Sequence, residues 1–378
     1  MEVGTGMDFM ERAWIEIDTN KLVRNFKCIN EFLPTKTSCI CIVKADGYGH
    51  GAIECARLLV ENGANFFGVA SIEEAVELRK AGIDKQIIVL GHTLPRQFAD
   101  LLTADVIQTI GDVEYGYELA NYASEQNFVQ KVHLKIDTGM HRLGISYERD
   151  LADIKALIDH PNLALEGCFS HFSVADSFKE SDIEFTKLQN EHFVNWLREA
   201  GKVGIRVGKS HISASAAIVN YPEFVYDYVR PGVLLYGFDS GEMKQVIEKE
   251  QVVAIKSKVG KLDILPANET IGYGRTFVSD LDLRVATIPI GYGDGLHRSY
   301  KGDVLIKGTR CPIIGRISMD QITVDVSKVV DIKLFDEVTI LGSDGEEIIS
   351  IEEMATKTGT ITNEIATHFT KRLHRIYR

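Results

Sequence analysis

The chain has 378 residues, 45% hydrophobic and 25% charged, with a formal net charge of −12 at pH 7. Length and composition suit a globular protein with two domains, or one barrel plus an appendage, and a sizeable core. The acidic balance excludes non-specific nucleic-acid binding and leaves no basic face for a membrane surface. No run approaches the ~20 apolar residues of a membrane helix. The six cysteines, at 28, 39, 41, 55, 168 and 311, lie mostly in apolar runs without Cys-x-x-Cys spacing. They read as free thiols in a reducing, cytoplasmic compartment, and no metal site is expected. The opening Met1-Glu2-Val3-Gly4-Thr5-Gly6 has neither the basic start nor the apolar core of a signal peptide. With Met7 and Met10 close behind, residues 1–10 read as an addition in front of a fragment of a longer protein.

In chain order, short apolar runs at 37–43, 66–70, 86–90, 106–110, 131–136, 163–171, 205–213 and 228–236 alternate with amphipathic helical stretches such as 72–81, 112–126 and 181–200. Strands alternating with helices imply parallel βαβ units. Eight of them imply an α/β fold with a closed (β/α)8 TIM-type barrel. An open doubly wound sheet is the alternative, but no GxGxxG turn follows the first strand. After the polar stretch 241–251 the pattern changes. Runs at 252–258, 284–290, 303–306, 313–318, 321–326 and 336–341 read as strands, and 351–358 and 363–373 as helices. The expected domains are therefore a barrel over 11–240 and a mainly β C-terminal domain with a terminal helix over 241–378.

In such a barrel, function sits at the C-terminal strand ends. Lys44, Lys135 with Asp137, His171, Ser213 with Ser215, and Arg230 all fall there. Each alone reads equally well as a satisfied loop residue; the set does not. Lys44 ends the run Cys39-Ile40-Cys41-Ile42-Val43. Desolvation there would lower its amine pKa and suit it to Schiff-base chemistry. The bland alternative is a snorkelling surface lysine.

The phrase Val43-Lys44-Ala45-Asp46-Gly47-Tyr48-Gly49-His50-Gly51 resembles the pyridoxal-phosphate (PLP) lysine motif of alanine racemases, and the resemblance runs from Trp14-Ile15-Glu16-Ile17-Asp18 nearly to the C-terminus. It implies that Lys44 holds PLP and that Tyr48 reaches the phosphate. In Leu134-Lys135-Ile136-Asp137-Thr138-Gly139-Met140-His141-Arg142, it makes Arg142 a contact to the PLP phenolic oxygen and to substrate, and Lys135 a carbamylated lysine steadying it. An ordinary Lys135–Asp137 salt bridge is the alternative. Phe169-Ser170-His171-Phe172 matches the histidine against the pyridine ring. Tyr228-Val229-Arg230-Pro231-Gly232-Val233 matches the arginine facing the pyridine nitrogen, with Gly232 and Val233 offering amides to the phosphate. Ser215 matches a further phosphate contact, although Ala214 stands where the family usually has asparagine.

Beyond residue 241, Thr270-Ile271-Gly272-Tyr273-Gly274-Arg275 resembles the segment of the second catalytic base, Tyr273. Ile314-Gly315-Arg316-Ile317-Ser318-Met319 resembles the segment lining the substrate carboxylate, through Met319. In this family both come from the other subunit, so a homodimer with shared sites is implied. One departure stands out: Asn363 occupies the place of a family tyrosine that walls the substrate methyl pocket. An amide there could serve a serine hydroxymethyl group; the alternative is drift at a helix N-cap. The substitution resembles the membrane-anchored serine racemases of vancomycin-resistant bacteria, which would make this chain the cytoplasmic part of such a protein. The expectation is thus a two-base serine and alanine racemase supplying D-amino acids for peptidoglycan. An ordinary alanine racemase, a barrel-type PLP decarboxylase and a non-enzymatic PLP carrier are the competing readings.

Overall fold

The computed structural model describes residues 11–378; the expectation about residues 1–10 lies outside the described residues. The chain divides into two compact units, Lys21–Glu250 and, from both ends of the chain, 11–20 with Gln251–Arg378.

The first unit is a (β/α)8 barrel. Its strands are Ser38–Cys39 continued as Cys41–Ile42, then Phe66–Val69, Gln86–Val89, Ile107–Ile110, Gln130–Asp137, Leu163–Phe169, Lys209–Ala214 and Tyr228–Arg230. Each neighbouring pair is parallel. The first strand closes the ring, because Ser38 and Cys39 pair with Tyr228 and Val229 whereas Cys41 and Ile42 pair with Phe67 and Gly68. Strands packed on both faces must be apolar nearly throughout, and every residue of Phe66–Val69 and Ile107–Ile110 is buried. The outer helices carry one apolar stripe each. In Val113–Glu125 the buried residues are Val113, Gly116, Leu119, Ala120 and Ala123, and Asp112 caps the start by accepting the Tyr115 N–H.

The second unit is a ten-stranded, mostly antiparallel sheet. Three features differ from expectation. Ala13–Ile17, expected inside the 11–240 barrel, pairs instead with Val253–Lys258. The terminal helix is short, Thr362–His368, and the chain ends in a strand, His374–Tyr377, parallel to Ala13–Ile17. There the sheet edge captures a segment whose own pattern is ambiguous, an override of local preference by pairing. The expected strand 313–318 is really Thr309–Ile314, because Gly315 turns left-handed at φ +74°. Among the described residues no helix is long and apolar enough to cross a membrane, and no group of three or more His, Cys, Asp or Glu is set to hold a metal.

Candidate active site

Lys44 follows the closing strand and opens a left-handed turn. Ala45, Asp46, Gly47 and Tyr48 have φ of 52°, 53°, 62° and 52°. Left-handed backbone costs an L-residue roughly 1–2 kcal/mol each, so neighbouring groups must hold the turn. The Glu74 carboxylate accepts the Ala45 N–H at 2.7 Å, and Asp46 Oδ1 accepts the Ala52 N–H at 3.0 Å. The turn leaves Tyr48 buried with its ring against Tyr236, centroids 5.3 Å apart. Burial pushes the Tyr48 phenol up to about 12, so it is a neutral donor. The Lys44 amine is lowered by burial and by Arg142 and Arg230, with Glu74 opposing.

Arg230 is the hub, 4% exposed. Its guanidinium donates to the Ser170 and Ile212 carbonyls, each at 2.8 Å, to His171 Nδ1 at 3.1 Å, and by a short bond to His211 Nδ1. A guanidinium has no acceptor. Both histidines therefore accept at Nδ1 and carry their proton on Nε2. His211 then donates from Nε2 to His133 Nδ1 at 3.0 Å, which fixes the His133 tautomer too. Burial, reinforced by Arg230, holds all three imidazoles neutral; His133 falls to about 3, and His171 and His211 lie well below the usual range. Burial lowers Arg230 to about 9, which leaves it a cation at neutral pH.

Lys135 is buried in the Gln130–Asp137 strand, its Nζ 5.4 Å from the Phe169 ring centre. Burial, then Arg230 and Arg142, lowers its amine to about 8. Asp137 does not serve as its salt-bridge partner: Oδ1 accepts the amides of Gly139, Met140 and His141 at 2.9, 3.0 and 3.1 Å, and Oδ2 faces His141. Arg142 is exposed just beyond this turn.

The third cluster joins Ser215, Gly232 and Tyr48. Ser215 Oγ accepts the Gly232 N–H at 2.9 Å, leaving its own hydrogen to donate. A Cβ on Gly232 would stand 2.7 Å from Tyr48 Oη, so only glycine lets the two hydroxyls share this space. Val233 opens the following short helix, Val233–Tyr236. Ser213 is spent elsewhere, on the Phe224 carbonyl.

The barrel thus gathers Lys44, Tyr48, Lys135, Arg142, His171, Ser215, Arg230, Gly232 and Val233 at one end of its strands. Tyr273, Met319 and Asn363 belong to the second unit. Tyr273 is 69% and Met319 52% exposed. Their turns are neighbours: the Arg316 backbone lies against Gly272, and its guanidinium against Gly274. The Met319 carbonyl accepts the Gly293 N–H at 2.8 Å. Asn363 is the second residue of Thr362–His368, not its N-cap, which is Ile361.

Glu74 and His133 were not singled out in the sequence. Ser71-Ile72-Glu73-Glu74 does carry the spacing by which a third helical residue reaches back toward the preceding backbone. His133 lies inside the largely buried strand Gln130–Asp137, where no local signal marks it.

Comparison with known proteins agrees along the whole chain. The family model described as alanine racemase, N-terminal domain, matches residues 17–240, and the alanine racemase, C-terminal domain, model matches residues 252–377. The chain is 39% identical over 371 residues to the alanine racemase of Clostridium novyi, covering 97% of this chain and 95% of that one. The structure of alanine racemase from Clostridium difficile 630 superposes with a TM-score of 0.92 at 33% identity, covering 98% and 97%. The histidine racemase of Leuconostoc mesenteroides has a TM-score of 0.88 at 27% identity, covering 98% and 99%. With both halves of its length matched in order, the chain belongs to the alanine racemase family of pyridoxal-phosphate-dependent isomerases.

Proposed function

We propose that this racemase interconverts L- and D-alanine with PLP held by Lys44, using Lys44 and Tyr273 as bases on opposite faces of the substrate α-carbon. The observation that carries the reading is the Arg230 hub beside Lys44. The residues fit the cofactor: Tyr48 and Ser215 present hydroxyls across the bare Gly232 backbone, suiting a phosphate, and Val233 adds an amide. Arg142 and Arg230 supply fixed positive charge near the Lys44 amine. Bound PLP supplies the electron sink that makes the α-proton removable. Arg230 can only donate, so an acceptor facing it stays unprotonated. That limits charge spreading and favours simple proton removal and return. His171 keeps Nε2–H toward its surroundings because Arg230 occupies Nδ1. Lys44, lowered by burial, takes and returns a proton at Nζ; Tyr273 does so at Oη.

Lys135, near 8, has enough neutral amine at physiological pH to react with carbon dioxide. A carbamate there would give Arg142 and Arg230 an anionic partner. The exposed Tyr273 and Met319 support a homodimer in which each second unit completes the partner's site.

The expectation of serine preference and of a vancomycin-resistance role rested on Asn363. Two of the three relatives reported above bear the name alanine racemase, so alanine takes first place. The histidine racemase among them supports a fold that accommodates other side chains, and serine remains as a second substrate to assay. The test is D-alanine formation from L-alanine with added PLP. The wild type should produce it and Lys44→Ala should not, with borohydride reduction fixing the cofactor to Lys44. A wild type that binds PLP without racemising would restore the carrier reading.

A further inference from the structure

We propose that Glu74 is a positioning residue for the Lys44 amine, its carboxylate locking the left-handed turn behind Lys44 to the end of the neighbouring strand. The inference rests on the proposed role of Lys44. Glu74 is the third residue of the helix Ile72–Lys80. Its two carboxylate oxygens are divided: Oε1 accepts the Ala45 N–H at 2.7 Å and Oε2 the Ala70 N–H at 2.7 Å. Ala45 is the residue after Lys44, and Ala70 the residue after the strand Phe66–Val69. One side chain thus ties two adjacent barrel strand ends together at the point where the backbone enters its left-handed turn.

The lock works against strain. Ala45, Asp46 and Tyr48 are non-glycine residues at positive φ, and each relaxes to ordinary backbone if released. Relaxation at Ala45 would rotate the peptide that follows Lys44 and redirect its side chain. A carboxylate is suited to the task because it can accept at both oxygens, and charge-assisted bonds to amides are strong. Glutamine has one acceptor oxygen and a donating NH2, so it can satisfy one amide but not both.

Glu74 also acts electrostatically. The charged and titratable groups around Lys44 are Arg142, Arg230, Lys135, His171 and Glu74. Against the cations Arg142 and Arg230, Glu74 is the anion that favours the protonated amine, while His171 stays neutral. It therefore keeps Lys44 able to return a proton as well as remove one, which racemisation requires in both directions.

The full-length chain carrying Glu74→Gln tests this. In cofactor-free protein, the modification of Lys44 by trinitrobenzenesulfonate is followed against pH by peptide mass spectrometry. Loss of the anion should move the Lys44 profile to lower pH, raising the rate at neutral pH by about threefold. Amide exchange at Ala45 or Ala70 should quicken by at least about tenfold as one acceptor is lost. A Lys44 profile identical to wild type, whatever happens to the melting temperature, overturns the proposal. Should Glu74→Gln fail to fold, the wild type decides: the Ala45 amide, though on an exposed residue, should exchange as slowly as the barrel strands, and fast exchange overturns the lock. Borohydride trapping reports separately on which lysine holds the cofactor, so its failure is distinguishable from failure here.

Discussion

Asn363 poses the sharpest question at the scale of single residues. It lies half-buried in the first turn of Thr362–His368, its carbonyl accepting the Thr367 hydroxyl at 2.9 Å. The Asn363 side-chain Oδ1 accepts the Thr362 hydroxyl at 3.4 Å. A roomy pocket discriminates between similar substrates by only about 10²-fold or less, so Asn363→Tyr is expected to lower kcat/KM for serine far more than for alanine. Both substrates must be measured on both proteins at saturating PLP; an unchanged serine-to-alanine ratio removes Asn363 as a determinant. Most of the barrel residues were legible in the sequence, because Lys44, Lys135, His171 and Arg230 interrupt apolar strands at the same end. Glu74 and His133 were not, because their roles lie in hydrogen bonds to residues distant in sequence: Glu74 to Ala45 and His133 to His211. The resemblance also named serine where the relatives name alanine, because a single side-chain change was asked to carry a preference.

At the scale of elements, the first barrel strand and the turn after it do most to build the site. The strand closes the ring by pairing on both sides, and the turn carries Lys44 and Tyr48. Gly232 faces that turn from the other end of the closure. Gly232→Ala would place a methyl 2.7 Å from Tyr48 Oη, inside van der Waals contact. The expected result is PLP affinity weakened by about tenfold or more, measured by equilibrium dialysis, with the far-ultraviolet spectrum unchanged. Undiminished affinity would mean that Tyr48 moves freely and that the cluster is not a phosphate cradle. The eight barrel strands were readable from alternating apolar runs, since a buried parallel strand has little other composition. The chain ends were not. Ala13–Ile17 and His374–Tyr377 take their place in the sheet through pairing with Val253–Lys258 and with each other, which no local pattern records.

For the whole molecule, the three neutral histidines around Arg230 make stability depend on pH. Their folded pKa values lie below the unfolded value of about 6.5, and His133 lies near 3. Below about pH 6.5 the unfolded chain binds protons that the native chain refuses, so stability is present above that pH and declines as pH falls. With three such groups the slope approaches about 4 kcal/mol per pH unit. Urea titrations from pH 7.5 to 5 should show it, and His133→Asn should flatten the slope by about one third. The proposed two-base function calls on both units, since Lys44 belongs to the barrel and Tyr273 to the sheet unit. Mixing inactive Lys44→Ala and Tyr273→Phe chains tests that claim most directly. In a symmetric dimer with shared sites, each heterodimer holds one site with both wild-type bases, and random reassortment should return roughly a quarter of the wild-type rate of D-alanine formation. Verified heterodimers with no recovered activity would contradict the account.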